Sequence, residues 1–357
     1  MTNTTQVSPA ATNPTFRPNQ AETPVLEVRN LSKRFPVGGM FSPQNVHALE
    51  NVSFSIARGE ILALVGESGS GKSTTARLIA RLMPPSDGEI LFKGRNVLET
   101  EPRGASLGYR NNVQMIFQDP FGSLNAVHTI GRHLERPLLI HKKARDAKGL
   151  RQQVLELLTT VGLNPASDFA QKYPHQLSGG QRQRVAIART LAVDPEVILA
   201  DEPISMLDVS IRMGVLNLMA KLKEERGIGY LYITHDIASA RYIGDRTMVM
   251  YAGHMVEGAE SEALMEHPAH PYTQLLLSAV PNPHAGLKGR QSEARGEIPS
   301  LINPPPGCPF AARCPKVMDT CRKTMPDAEW VGENHWVRCH LYGPGEQTTP
   351  EKPLAAA

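Results

Sequence analysis

The chain lacks any run of the ~18–20 apolar residues that a membrane-spanning helix requires. We therefore expect any link to a membrane to pass through a partner protein. Residues 1–24 are rich in Thr, Asn, Pro and Gln and have almost no apolar content, which predicts a disordered tail. Because this tail has no apolar core segment, it does not have the pattern of a signal peptide. Internal repeats and long heptad patterns are also absent.

The chain also has a small net charge and few cysteines. The 38 Lys and Arg residues exceed the 35 Asp and Glu residues by only three charges, so the sequence gives no sign of nucleic-acid binding. Cysteine is absent from the first 307 residues, and all four cysteines of the chain follow in its last part. Scattered buried thiols would not cluster in this way, so we expect these cysteines to act together.

A glycine-rich segment at residues 66–73, Gly-Glu-Ser-Gly-Ser-Gly-Lys-Ser, has the pattern G-x-x-x-x-G-K-[ST] of a phosphate-binding loop. The apolar run at residues 61–65 predicts a buried strand before it. Apolar residues at helical spacing over residues 78–83 predict a helix after it. The pattern therefore has the strand-loop-helix context that this kind of site requires.

Each residue type in this segment has a chemical reason to be there. Gly66, Gly69 and Gly71 let the backbone turn its N–H groups towards a phosphate, and the helix N-terminus adds roughly half a positive charge. Lys72 is expected to reach the β- and γ-phosphates of ATP, and the Ser73 hydroxyl to ligate Mg²⁺. The residues predicted to bind the nucleotide here are Gly66, Ser68, Gly69, Ser70, Gly71, Lys72, Ser73 and Thr74.

Two further motifs identify the kind of ATP-binding protein. Residues 178–181 read Ser-Gly-Gly-Gln, and residues 197–202 form a second apolar run that ends in two acids. A carboxylate at the end of a buried strand is costly unless it meets a metal, water or a donor. With the phosphate loop, these motifs resemble the ATP-binding-cassette (ABC) ATPases over roughly residues 25–260.

The resemblance implies a role for each polar residue at the site. In that family the acid matching Asp201 supports Mg²⁺, together with the residues matching Ser73 and Gln118. The acid matching Glu202 polarises the attacking water, and His235 matches the histidine that holds the γ-phosphate. The implied catalytic residues are Glu202, His235, Gln118 and Lys72.

The resemblance also implies that the chain does not form a complete site alone. Ser178, Gly179, Gly180 and Gln181 match the signature motif, whose helix N-terminus faces the nucleotide of the opposite subunit. Phe35 matches the aromatic residue that stacks on adenine, and Phe41 remains an alternative.

The last third of the chain indicates the branch of the family. The segment His-Pro-Ala-His-Pro-Tyr-Thr at residues 267–273, followed by a cysteine-bearing tail, resembles the dipeptide, oligopeptide and nickel branch of ABC importers. By itself the segment predicts only a turn into an amphipathic helix. The resemblance implies an ATPase at the cytoplasmic face of the bacterial inner membrane that powers import of peptides or a related small solute. Its implied partners are two permease subunits, an extracytoplasmic solute-binding protein and a second ATPase subunit, either a paralogue or a copy of itself.

Other functions stay open at this point. A soluble ABC protein of translation or DNA repair is the alternative, although such proteins carry two cassettes or long coiled coils that this chain lacks. Nickel, glutathione or oligosaccharide are alternative cargoes, because the cassette does not select the solute.

The cysteines follow the spacing C-x5-C-x6-C-x17-C, at Cys308, Cys314, Cys321 and Cys339. Disulfides are disfavoured in the reducing cytoplasm. Four thiolates suit a [4Fe–4S] cluster or a Cys₄ zinc site, and the absence of close C-x₂₋₄-C pairs together with the Cys-Pro steps favours iron–sulfur. Zinc stays open because His335 and His340 are nearby, as do a metal-free tail and a tail that senses iron or redox state. A cluster would hold together a tail with too little apolar mass to fold alone.

We therefore predict an α/β fold: a P-loop cassette with a parallel core sheet, an antiparallel β subdomain and a helical subdomain. Glycine and proline at residues 37–48 predict a hairpin excursion in the first strand region. The predicted divisions are a disordered tail at 1–24, the cassette at 25–262 with its helical subdomain at about 119–176, a C-terminal extension at 263–345 that holds the cysteines, and a disordered tail at 346–357.

Overall fold

The computed structural model describes residues 23–38, 44–279 and 299–343. Its strands are β1 (Leu26–Val37), β2 (Gln44–Ile56), β3 (Ile61–Val65), β4 (Asp87–Phe92), β5 (Arg95–Asn96), β6 (Val113–Ile116), β7 (Val197–Asp201), β8 (Gly229–Thr234), β9 (Arg246–Tyr251), β10 (His254–Glu260), β11 (Glu329–Gly332) and β12 (His335–Val337). Its α-helices are α1 (Lys72–Ile79), α2 (Val97–Thr100), α3 (Leu107–Asn112), α4 (Pro120–Ser123), α5 (Ile130–Ile140), α6 (Ala147–Thr160), α7 (Ala166–Gln171), α8 (Gly179–Leu191), α9 (Val209–Arg226), α10 (Ile237–Ile243), α11 (Ser261–Glu266) and α12 (Pro271–Ser278). Short 3-10 helices lie at Pro174–Gln176, Asp319–Arg322 and His340–Tyr342.

The strands form two sheets, as the predicted α/β fold requires. An antiparallel sheet has the order β2-β1-β4-β5, and a larger one has the order β11-β12-β10-β9-β3-β8-β7-β6. In the larger sheet β9, β3, β8, β7 and β6 are parallel neighbours. The predicted hairpin is confirmed, because Val37 at the end of β1 pairs with Gln44 at the start of β2.

The predicted buried strand at residues 61–65 lies inside the larger sheet, between β8 and β9. All of its residues are buried. Because side chains alternate along a strand, Ile61, Ala63 and Val65 pack into the core on one face, while Leu62 and Leu64 pack into the core on the other. This strand carries the phosphate loop out of the middle of the sheet.

Helices α4 to α7 lie between β6 and β7 in the chain, in the range where the helical subdomain is predicted. Their buried leucines, with Phe169 of α7, join the same core as α8 and one face of the parallel strands. Within the described ranges, no helix is both long and apolar enough to cross a membrane.

The end of the chain adds strands to the larger sheet, which the sequence did not predict. β12 pairs with β10, so that Trp336 lies opposite Gly258. A side chain at Gly258 would collide with the indole of Trp336, which is fully buried. The predicted tails at 1–24 and 346–357 lie outside the described residues, apart from residues 23 and 24.

Candidate nucleotide-binding site

The phosphate loop (residues 66–71) joins the buried end of β3 to the start of α1. Gly71 begins the helix with a φ of 109°, and no side chain caps the helix N-terminus. A Cβ atom at Gly66 would lie 2.1 Å from the carbonyl oxygen of Met250, so only glycine fits beside β9. At Gly69, φ is +80° and a Cβ atom would meet nothing within 4 Å. The glycines thus set the turn and leave backbone N–H groups available to an anion, as predicted.

Lys72 is buried, and its ammonium group is held by the loop itself. Nζ donates to the carbonyl oxygens of Gly66 at 2.7 Å and Glu67 at 2.8 Å. Burial lowers the pKa of Lys72, and the carboxylates of Glu202, Asp201 and Glu67 oppose that shift. The cation therefore lies in the concave face of the loop, where a phosphate would replace the carbonyl contacts.

Ser73 and Asp201 meet directly, as the predicted Mg²⁺ site requires. The Ser73 hydroxyl donates to Oδ1 of Asp201 at 2.7 Å, across 128 residues of chain. Asp201 is only 2% exposed, and burial raises the pKa of its carboxyl group while the bond from Ser73 opposes that shift. A buried carboxylate beside a hydroxyl offers oxygen ligands of the type that Mg²⁺ prefers.

Glu202 contacts two of the other predicted catalytic residues, Gln118 and His235. Its Oε2 accepts from Nε2 of Gln118 at 2.9 Å, and its Oε1 lies 3.2 Å from Nδ1 of His235. Glu202 has a φ of 46°, an uncommon conformation for a residue other than glycine.

Sheet topology explains why these residues meet. Gln118, Glu202 and His235 each follow the carboxyl end of a strand, and those strands (β6, β7 and β8) are parallel neighbours. Carboxyl ends of neighbouring parallel strands share one edge of the sheet, where ligands bind in open α/β folds.

The signature residues lie at the start of α8. Ser178 caps this helix, because its hydroxyl accepts from the N–H of Gln181, whose side chain accepts from the N–H of Ser178. A Cβ atom at Gly180 would lie 2.4 Å from Cγ2 of Ile211, so this position requires a very small residue. These bonds stay within one helix end and do not join the cluster around Glu202. Completion of the site by a second subunit stays a prediction.

Phe35 lies near the end of β1 and is partly exposed. The ammonium group of Lys33 lies 5.0 Å from the centre of its ring. Contact of Phe35 with adenine stays a prediction, and the alternative, Phe41, lies outside the described residues.

All four cysteines line one small cavity, the cysteine cavity, together with His270, Phe310 and His340. Burial raises the pKa of the Cys308 thiol to about 12 and that of Cys339 to about 11. Among the described residues, however, no three His, Cys, Asp or Glu side chains are arranged to hold a metal ion. The predicted iron–sulfur cluster and its zinc alternative are therefore not supported by this arrangement.

The two histidines considered as zinc ligands have other partners. His335 Nε2 lies 2.7 Å from Oε1 of the buried Glu257, and His340 Nε2 lies 2.9 Å from the carbonyl oxygen of Thr324.

Sequence reasoning missed a set of contacts between the end of the chain and the phosphate loop. The N–H of Glu67 donates to the Tyr272 hydroxyl at 2.9 Å, and the Arg313 guanidinium forms a two-bond ion pair with the Glu67 carboxylate. Tyr272 belongs to the His-Pro-Tyr segment, for which the sequence suggested only a turn into a helix. The helix is present as α12, and its tyrosine also contacts the loop.

Comparisons with known proteins agree with this geometry. A family model described as ABC transporter matches residues 49–205, and one described as Oligopeptide/dipeptide transporter, C-terminal region, matches residues 256–321. The chain is 45% identical to the oligopeptide transport ATP-binding protein AppF of Bacillus subtilis, over 89% of this chain and 97% of that protein. It is 46% identical to the dipeptide transport ATP-binding protein DppF of Haemophilus influenzae, over 89% of this chain and 96% of that protein. The dimeric, post-hydrolysis structure of the ATP-binding cassette MJ0796 with ADP and phosphate is similar at a TM-score of 0.58 and 32% identity, covering 66% of this chain and 98% of that one.

Proposed function

The chain belongs to the ATP-binding proteins of ABC transporters, and we propose that it hydrolyses ATP to power the import of dipeptides or oligopeptides. The observation that carries this proposal is the position of Glu202 between Gln118 and His235, on the same sheet edge as the phosphate loop. The named relatives transport oligopeptides and dipeptides and match nearly their whole length, which supports a peptide cargo. No feature of this chain favours the soluble alternative or a nickel, glutathione or oligosaccharide cargo.

Each polar residue of the nucleotide site has a separate role in the proposed hydrolysis. Lys72 exchanges its carbonyl contacts for the β- and γ-phosphates, while the loop N–H groups hold the triphosphate in place. Ser73, Asp201 and Gln118 hold Mg²⁺, which neutralises phosphate charge when bound. Glu202 orients the attacking water and accepts its proton, because each of its carboxylate oxygens keeps a second lone pair beside its contact with Gln118 or His235. His235 donates to the γ-phosphate.

A second ATPase subunit completes the site in this proposal. Ser178 to Gln181 begin a helix of 13 residues, whose N-terminus attracts a phosphate. The similar cassette MJ0796 is dimeric in its structure with ADP and phosphate, which supports pairing of two such surfaces. We propose that Phe35 stacks on adenine and that Ser178 and Gly180 contact the nucleotide of the partner subunit.

The proposed assembly places this chain peripherally at the cytoplasmic face of the membrane, against two permease subunits, with an extracytoplasmic protein delivering the solute. The transport names of the relatives support membrane partners. We propose a cassette at 25–262 with its helical subdomain at about 119–176, and an extension at 263–345; the order of the two family-model matches, at 49–205 and 256–321, supports a cassette followed by an extension.

We propose that the cysteine cavity holds a [4Fe–4S] cluster. All four cysteines line one cavity, although no three of these side chains are arranged to hold an ion among the residues that the structure describes. A cluster takes one thiolate for each iron, whereas a Cys₄ zinc site needs all four sulfurs at ~2.3 Å from a single ion. Burial raises the pKa of the Cys308 and Cys339 thiols, so binding through their thiolates would release protons. Iron and sulfide analysis of anaerobically purified protein is expected to give about four of each per chain, and about none in Cys321→Ser. Colourless, metal-free wild-type protein of normal stability would refute the cluster.

Peptide uptake tests the main proposal. Cells whose native copy carries Lys72→Ala are expected to lose uptake of labelled di- or oligopeptides, while uptake of unrelated solutes continues. Lys221→Ala is the matched control, because that lysine lies on the exposed side of α9 and pairs only loosely with Glu225, at 3.7 Å. Unchanged peptide uptake in Lys72→Ala cells that retain no redundant ATPase contradicts the proposal.

A further inference from the structure

We propose that Arg313 and Tyr272 position the phosphate loop and neutralise its acid Glu67, so that ATP affinity depends on docking of the C-terminal extension. This inference rests on the proposed function, because it concerns how the same site binds its nucleotide. The residues involved are far apart in sequence, with 246 positions between Glu67 and Arg313.

The ion pair has a geometry that restricts both partners. Arg313 Nη1 lies 2.8 Å from one carboxylate oxygen of Glu67, and Nη2 lies 3.0 Å from the other. The Arg313 side chain is only 7% exposed, and its guanidinium lies 5.7 Å from the ring centre of Tyr251 and 5.9 Å from that of Phe310. A two-bond arginine–carboxylate pair with little solvent access fixes orientation as well as charge.

Tyr272 holds the backbone of the same loop residue. Its hydroxyl accepts from the N–H of Glu67 at 2.9 Å. The centre of its ring lies 4.5 Å from the ring centre of Tyr251 and 5.4 Å from that of Phe310. The extension therefore contacts both the backbone N–H and the carboxylate of residue 67.

Residue 67 is also in contact with the catalytic lysine. Its carbonyl oxygen accepts from Lys72 Nζ at 2.8 Å, so displacement of this peptide would move the contacts of the lysine. A free carboxylate at this position would add negative charge to a loop that must bind a triphosphate. Pairing with Arg313 removes that repulsion, which is how the extension acts on nucleotide affinity.

The test measures dissociation constants of the full chain for a fluorescent ATP analogue. Arg313→Ala is expected to weaken binding about ten-fold, since it leaves an unpaired charge beside the phosphates. Adding Glu67→Gln to Arg313→Ala is expected to restore most of the affinity, because the repelling charge is then absent.

Tyr272→Phe removes one hydroxyl and keeps the ring, so it tests the hydrogen bond to the Glu67 backbone even if Arg313→Ala folds poorly. The amide of Glu67 is expected to exchange hydrogen faster in this variant. Arg226→Ala is the matched control, because Arg226 also forms an ion pair, at 3.5 Å with Asp194, away from the loop.

Three results would overturn the inference. The first is wild-type affinity in Arg313→Ala while Lys72→Ala has lost binding, which leaves the proposed function intact. The second is a double variant no better than Arg313→Ala, which indicates general damage instead of unpaired charge. The third is a wild-type chain that binds no ATP, which removes the proposed function together with this inference.

Discussion

Glu257→Ala is expected to destabilise the chain strongly, because one buried carboxylate fastens three segments. Glu257 lies on β10 and is fully buried. It accepts from the backbone N–H groups of Ala269 at 2.6 Å and His270 at 3.0 Å, and pairs with His335 Nε2 at 2.7 Å. The His-Pro-Tyr segment and β12 thus share one anchor on the larger sheet.

The magnitude follows from the groups left unpaired. Each buried donor without an acceptor costs about 1–3 kcal/mol, and breaking a buried pair costs about 3–5 kcal/mol. At the lower end of these costs we expect a loss of about 5 kcal/mol in the free energy of unfolding, which lowers Tm by about 10–20 °C. Glu257→Gln keeps one carbonyl oxygen as an acceptor, so it should lose about half as much.

The assay is thermal and urea unfolding followed by circular dichroism, with Glu225→Ala as the control. Glu225 is exposed on α9 and forms a loose pair, so its removal should change stability by less than about 0.5 kcal/mol. A fall in Tm of less than about 2 °C in Glu257→Ala would show that this carboxylate does not anchor the extension.

Two other predictions concern packing and pH. Gly66→Ala is expected to abolish ATP binding, because its Cβ atom would lie 2.1 Å from the backbone of β9. Gly108→Ala is the control and should bind ATP normally in the same titration, because its Cβ atom would make an ordinary 3.5 Å contact. Equal ATP affinity in the two variants would refute the role of close packing at Gly66. Burial and the nearby Arg338 lower the pKa of His254 to about 4. Since the unfolded chain takes up this proton near pH 6.5, His254 alone should lower stability by about 3 kcal/mol as the pH drops from 6.5 to 4, and His254→Gln should lose correspondingly less in the same urea titrations. A variant with the wild-type pH dependence contradicts that shift.

The nucleotide site was predictable from sequence because its chemistry lies in short motifs at strand ends. The apolar run at 61–65 predicted the strand, and the glycines after it predicted the phosphate loop. Glu202, His235 and Gln118 come together because each follows a strand of the same parallel sheet, while their catalytic roles stay predictions.

The contacts of the C-terminal extension were not predictable in the same way. The pairing of Arg313 with Glu67 and of His335 with Glu257 depends on segments far apart in the chain, and no local pattern encodes such partners. The only available signal was the tyrosine of the His-Pro-Tyr segment, whose bulk and hydroxyl suit a buried contact. For the cysteines, spacing predicted that they would converge, but it did not determine what they bind.

The most direct test of the central claim is ATP hydrolysis by Glu202→Gln in the assembled transporter. The variant should still bind ATP, because the phosphate loop is intact, while hydrolysis falls by at least about 100-fold through loss of the proton acceptor. Glu225→Gln is the matched control and should hydrolyse ATP normally. Hydrolysis by Glu202→Gln at the wild-type rate would contradict the account.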